Sequence, residues 1–187
     1  SLNLTTDSVT FFPTGTALAA SWNPALAQRY GQGIGLEARA RGKDVLLGPA
    51  VNIIRTPIIG RAFEYFTEDP YLNSQIAVGY VRGVQNQDVA ACVKHYAANN
   101  QERNRGTVNV LMDERTLREI YLPVFKATVK EADVLAMMGA YNKFRGDYLC
   151  QNEYLNNQVL KQDFGFQGIV VSDWGAVHNT IQAAKGG

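Results

Sequence analysis

The sequence predicts an α/β protein in which parallel strands alternate with helices and are covered by them. Hydrophobic periodicity switches repeatedly between helical spacing and short apolar runs, with no low-complexity tract, charge block or short repeat. The short runs are apolar on both faces, the pattern of parallel strands buried between layers. Short connections between strand and helix make each unit a right-handed βαβ crossover in one sheet. Two architectures satisfy these observations, an open doubly wound sheet and a closed barrel. No GxGxxG or GxxxxGK[ST] opens a helix, so the phosphate-binding signals common in open sheets are missing.

The elements follow in order. Asn23 and Pro24 form an N-cap and first-turn pair; Leu26, Tyr30, Ile34 and Ala38 share a face, and Gly42 suits the position just past the end. A strand is expected over residues 44–47. Leu72, Ile76, Tyr80 and Val84 mark a second helix after Pro70, and residues 89–93 a second strand. Asp113 can cap a third helix, in which Leu117, Ile120, Tyr121, Val124, Phe125 and Thr128 keep three-and-four spacing while Pro123 should kink it. A third strand over 134–138 precedes a helix carrying Leu155, Val159 and Leu160, stopped near Gly165. The last strand is expected over 168–171, and a fifth helix is expected to start at Trp174 or Gly175.

Bulk properties exclude several classes. The 187 residues give a real core but fall below the roughly 250 of a complete (β/α)8 barrel. Eighteen Lys and Arg against seventeen Asp and Glu give a net charge of +1, which points to no nucleic acid or acidic partner. Cys92 and Cys150 have neither CxxC spacing nor disulfide-scaffold density, and read as small buried thiols; two histidines supply a zinc site poorly. No apolar run reaches the length of a membrane span.

Polar residues fall where strands end. Gly48, Pro49 and a long connection with Arg55, Arg61 and Glu64 follow the first; Lys94 and His95 follow the second; Tyr141 and Asn142 the third; Ser172 and Asp173 the fourth. In a parallel sheet these ends share one rim, where barrels and open sheets alike keep their sites. Taken singly, Asp173 reads as a helix cap, His95 as a satisfied core histidine, Lys94 and Arg61 as solvated charges, and Tyr141 as a rim aromatic. Their joint occurrence carries the inference. A carboxylate ringed by cations is expected to keep a low pKa, which suits a nucleophile. Cations and a histidine in one pocket match sugar hydroxyls, and Trp174 offers an apolar wall. Retaining glycoside hydrolysis needs a second carboxyl; Glu64, Glu68, Glu102 and Asp113 are available, and each has an adequate structural explanation. A Schiff-base lyase using Lys94 and a carbohydrate-binding fragment without turnover are the competing classes.

Four stretches carry a resemblance: GPAVNIIRTPIIGRAFEYFTEDPYL from Gly48, VAACVKHYAANNQE from Val89, LAMMGAYNKFRG from Leu135 and GFQGIVVSDWGAVH from Gly165. In this order and spacing they resemble the N-terminal barrel domain of glycoside hydrolase family 3, close to its β-glucosidases. The resemblance implies a partial (β/α)8 TIM-type barrel with Asp173 as nucleophile, Arg61, Lys94 and His95 on sugar hydroxyls, Tyr141 near the nucleophile and Trp174 as a wall. It implies hydrolysis of terminal non-reducing β-D-glucosyl residues by double displacement without a metal or organic cofactor, with β-xylosidase or another β-glycosidase of the family as the alternative, in a secreted or periplasmic setting. The family's sugar-binding Asp of a DGP-type motif would precede Ser1, and Asp7 is not in that context. The acid/base Glu of glucosidase-like members belongs to a following domain. The chain is therefore expected to be a fragment that needs that domain. Thr56, where many relatives have Asp, reads as subtype variation. KHYAANNQE in place of the hexosaminidases' KHFPGHG-type loop argues against that activity.

Overall fold

The computed structural model describes residues 8–187, so Asp7 lies outside the described residues. Helix α1 (Gly15–Ala19) is capped by Thr14, whose hydroxyl accepts from Ala17 N–H. Helix α2 (Pro24–Ala40) starts as the sequence predicts, with the Asn23 side chain accepting from Leu26 N–H, and Gly42 beyond its end has φ +65°. Its buried face differs from the expected one. Tyr30, Ile34 and Ala38 are only partly buried, Leu26 is 40% exposed, and the buried positions are Ala27, Gly31 and Gly35. Strand β1 (Val45–Leu46) and helix α3 (Pro70–Gln85) follow; Asp69 caps α3 by accepting from Leu72 N–H. The reason for the glycines is the close approach of α2 to α3. A Cβ on Gly31 would stand 2.2 Å from the Tyr80 carbonyl oxygen, and one on Gly83 2.1 Å from that of Gln28. Backbone-to-backbone packing selects the absence of a side chain, which a search for large apolar residues passes over.

Strand β2 (Ala90–Tyr96) is longer than expected, running through Lys94 and His95. Strand β3 (Asn109–Val110) and helix α4 (Glu114–Thr116), capped by Asp113, come next. Pro123 acts as its chemistry requires. With no N–H to donate and a ring that crowds the preceding turn, it divides the expected third helix into α4, a wide π turn over Leu117–Tyr121 and α5 (Pro123–Ala132). Leu122 N–H reaches back five residues to the Leu117 carbonyl. Strand β4 (Ala136–Gly139) leads into a hairpin, β5 (Lys143–Phe144) and β6 (Asp147–Tyr148), whose two connecting residues, Arg145 and Gly146, both have positive φ, as a tight hairpin demands. A π-helical segment, Tyr154–Asp163, precedes strand β7 (Ile169–Ser172).

The main sheet runs β1-β2-β4-β7, all parallel, with Val45 beside Ala90, Cys92 beside Ala136 and Met138 beside Val171. Each crossover adds its strand on the same side, without the reversal that defines a doubly wound sheet. The four strands form a sector of a (β/α) barrel. Alternation sorts the side chains: Ala91, Val93 and Met137 join the large core beneath α2, α3 and α5, while Cys92, Ala136, Met138 and Val171 cluster on the face a barrel turns inward. A second small sheet, β3-β5-β6, was not foreseen; its two-residue strands are too short for periodicity to register.

The expected fifth helix is displaced. Trp174–Ala176 form a single 3-10 turn, and α6 (Thr180–Gly186) begins only after Asn179, whose side chain caps it by accepting from Gln182 N–H. Cys92 and Cys150 are buried free thiols. Among the described residues no helix is long and apolar enough to cross a membrane.

Candidate active site

The segment after β1 doubles back along β2 and fixes the second strand end. Val51 N–H donates to the Lys94 carbonyl (2.7 Å) and Lys94 N–H to that of Pro49 (2.9 Å). Asn52, 2% exposed, then grips His95 by both ends of its amide: Oδ1 accepts from His95 N–H (2.8 Å) and Nδ2 donates to the His95 carbonyl (2.9 Å). The His95 ring is 1% exposed and meets the edge of Tyr65 with ring centroids 6.3 Å apart. Burial, reinforced by Arg61, Lys94 and Arg105, pushes its pKa down to about 2, so His95 is neutral at ordinary pH. Lys94 is held below its usual value, first by burial and then by Arg61, against the opposing pull of Glu64 and Asp173.

The other strand ends converge on the same place. Asp173, at the end of β7, is 6% exposed; its N–H donates to the Gly139 carbonyl (3.2 Å) and its Oδ2 lies 3.7 Å from His95 Nε2. Its side chain makes no helix-capping hydrogen bond, so the cap reading of the sequence does not hold. Arg61 bonds Glu64 through Nε and stands 4.0 Å from Glu102 Oε1. Arg105 donates to Glu102 Oε2 (2.8 Å) and lies over the Tyr141 ring, 4.6 Å from its centroid. Arg105, Arg61 and Lys94 all act electrostatically on Asp173. Tyr141 is thereby tied to the group through Arg105. Trp174 stands on the rim, 71% exposed, with φ +37°, a backbone region that bulky residues rarely occupy.

One electrostatic expectation is overturned. The cations were expected to hold Asp173 low; instead its pKa is raised, because desolvation of the buried carboxyl outweighs Arg105, Arg61 and Lys94, and Glu102 adds repulsion. Three of the four carboxyls weighed as proton donors find structural partners. Glu64 pairs with Arg61 and Glu102 with Arg105, while Asp113 caps α4 and is held below its usual pKa chiefly by Thr116 N–H.

The sequence reading gathered Arg61, Lys94, His95, Tyr141 and Asp173 and omitted Asn52 and Arg105. Asn52 left a signal, an amide between apolar Val51 and Ile53 that burial obliges to find partners. Arg105, ten residues past His95 in a polar loop, left none.

A parallel barrel sector that gathers a buried carboxyl, a neutral histidine and three cations at its strand ends defines an α/β-barrel domain with a polar site on the rim where such barrels keep theirs. The chain belongs to glycosyl hydrolase family 3: the family's N-terminal domain matches residues 2–185. It is 57% identical over 183 residues to beta-glucosidase BoGH3A of Bacteroides ovatus, covering 98% of this chain and 24% of that protein. An exo-alpha-(1->6)-L-arabinopyranosidase of Bifidobacterium breve is 46% identical, covering 92% of this chain and 23% of the relative. Among solved structures, beta-glucosidase 3B of Thermotoga neapolitana in complex with glucose superposes with a TM-score of 0.93 at 46% identity, over 98% of this chain and 26% of that one. The chain thus spans about a quarter of the length of the relatives it matches.

Proposed function

We propose that this chain forms part of the catalytic domain of an exo-acting, retaining β-glucosidase in which Asp173 is the nucleophile. The observation that carries the reading is the state of Asp173: buried, facing His95, in the field of three cations, and without the capping bond that would give it a structural task. Burying a carboxyl costs free energy, and a fold retains such a cost where chemistry uses it. In the ionised form Asp173 attacks the anomeric carbon, expelling the leaving-group oxygen; water then cleaves the glycosyl ester with retention. Arg61, Lys94 and His95 hold hydroxyls of the cleaved sugar, Tyr141 lies near the nucleophile and Trp174 forms a wall.

The proton for the leaving group comes from a Glu in a further domain of the protein, because Glu64 and Glu102 are committed to arginines, Asp113 to a cap, and Glu68 is exposed and not among the groups acting on Asp173. No metal or organic cofactor enters this chemistry. A second reading, a related pyranosidase, is favoured by the arabinopyranosidase relative, and a panel of aryl glycosides on the full-length protein ranks the two. The nucleophile is tested by trapping with an activated 2-deoxy-2-fluoroglucoside followed by peptide mass spectrometry. A glycosyl adduct on Asp173 is expected; an adduct on another residue, or one on Lys94 fixed by borohydride, overturns the assignment.

A further inference from the structure

We propose that Asn52 is a positioning residue that sets the tautomer of His95, holding the ring hydrogen on Nδ1 and leaving Nε2 as a hydrogen-bond acceptor for a substrate hydroxyl. The inference rests, for the hydroxyl, on the sugar-site reading above; the tautomer stands apart from it.

The orientation of the Asn52 amide follows from the backbone it grips. His95 N–H can only donate, so the atom 2.8 Å from it is the oxygen; the His95 carbonyl can only accept, so the atom 2.9 Å from it is the nitrogen. A flipped amide would place two donors and two acceptors face to face. That same oxygen lies 3.3 Å from His95 Nδ1. Oδ1 carries no hydrogen, so Nδ1 must supply it. The ring is 1% exposed and has Arg61, Lys94 and Arg105 as electrostatic neighbours, all of which disfavour a second proton. Nε2 is then left with a lone pair. Its separation of 3.7 Å from Asp173 Oδ2 is too long for a hydrogen bond, so the two acceptors face a shared gap.

The consequence is a division of labour. Arg61, Lys94 and Arg105 can only donate, whereas His95 Nε2 can only accept. A hydroxyl satisfies both kinds of partner at once, giving its hydrogen to Nε2 and its lone pairs to a cation. Fluorine, which accepts but cannot donate, satisfies only the cations. Asn52 touches no substrate in this arrangement and acts entirely through the ring it orients.

The test uses the full-length protein with ring-15N histidine, the His95 signals being identified by their loss in His95→Gln. The expected spectrum has Nδ1 at the protonated, pyrrole-type shift and Nε2 at the imine-type shift. In Asn52→Leu the pattern should move toward Nε2–H, and Asn52→Asp, which keeps an oxygen at the Oδ1 position, should retain hydrogen on Nδ1. A wild-type spectrum with hydrogen on Nε2 overturns the proposal, as does an unchanged pattern in Asn52→Leu. For the acceptor role, monodeoxy and monodeoxyfluoro glucosides are compared. At one hydroxyl position both replacements should lower kcat/KM by about tenfold or more, with fluorine giving no recovery. Recovery by fluorine at every sensitive position would overturn acceptance by Nε2. Failure of the sugar-site reading shows separately, as absent labelling of Asp173 with the tautomer pattern intact.

Discussion

The ends of β2 and β7 meet across 3.7 Å, and they are held very differently. At the end of β2, His95 is gripped by Asn52 at its N–H and its carbonyl and approached at its ring, and Val51 anchors the Lys94 carbonyl beside it. At the end of β7, Asp173 is anchored by its backbone alone, and the next residue, Trp174, projects 71% exposed with φ +37°. Both ring and carboxyl are buried, and burial drives both toward the neutral form. For His95 neutrality suits the proposed role of an acceptor for hydroxyls. For Asp173 it opposes the reading that the ionised form attacks. The fold places its side-chain hydrogen bonds on the His95 end and holds the Asp173 end through its backbone, as suits a proposed binding group on one side and a proposed reacting group on the other.

Breaking the Asp173 end should have the largest effect. Asp173→Asn in the full-length protein is expected to lower kcat by about ten-thousandfold. The same change should raise the stability of the domain. A carboxyl whose folded pKa lies above its unfolded value contributes least to stability once pH has risen through the folded value, and Asn removes that penalty. The expected readout by thermal denaturation is a Tm above that of the unaltered protein on the alkaline side, with the difference shrinking as the pH is lowered.

The His95 end gives the next effect. Lys94→Ala or His95→Gln should each cost about 2–4 kcal/mol in transition-state stabilisation, read as kcat/KM. His95 also has a pH signature of opposite sign to that of Asp173. Its folded pKa is depressed, so the unfolded chain binds a proton that the folded chain refuses, and stability falls as pH drops from 6.5 toward about 2. His95→Gln should flatten that slope in acid-denaturation curves.

Away from both ends the effects separate stability from chemistry. Gly83→Ala places a Cβ 2.1 Å from the Gln28 carbonyl oxygen and should cost about 1–3 kcal/mol of stability with kcat unchanged. Trp174→Ala should do the reverse at the smallest scale. Being exposed, it should alter stability by no more than about 0.5 kcal/mol while raising KM several-fold, measured by steady-state kinetics.

How far the sequence reveals this arrangement depends on what each residue type signals. The four strand ends are legible because apolar runs terminate abruptly in Lys94, Tyr141, Ser172 and the Arg61 connection, and parallel topology puts those ends on one rim. The caps Asn23 and Asp113 are legible because their chemistry is local. Gly31 and Gly83 are not, since packing by absence leaves no periodic mark. Asp173 misleads when read alone: an Asp between a strand and a helix suggests a cap, yet α6 starts at Thr180 under Asn179. Its charge state misleads too, because cations can be counted in a sequence while desolvation needs three dimensions.

The central claim is that the Asp173 carboxylate is the nucleophile and has no structural task. Its most direct measurement is azide rescue of Asp173→Ala in the full-length protein, with an activated β-glucoside whose leaving group needs no proton. Azide entering the space left by the carboxylate should restore turnover by at least about a hundredfold and give the α-glucosyl azide, whose inverted configuration reports attack from the Asp173 face. Turnover unaffected by azide, or near wild-type activity without it, would contradict the account.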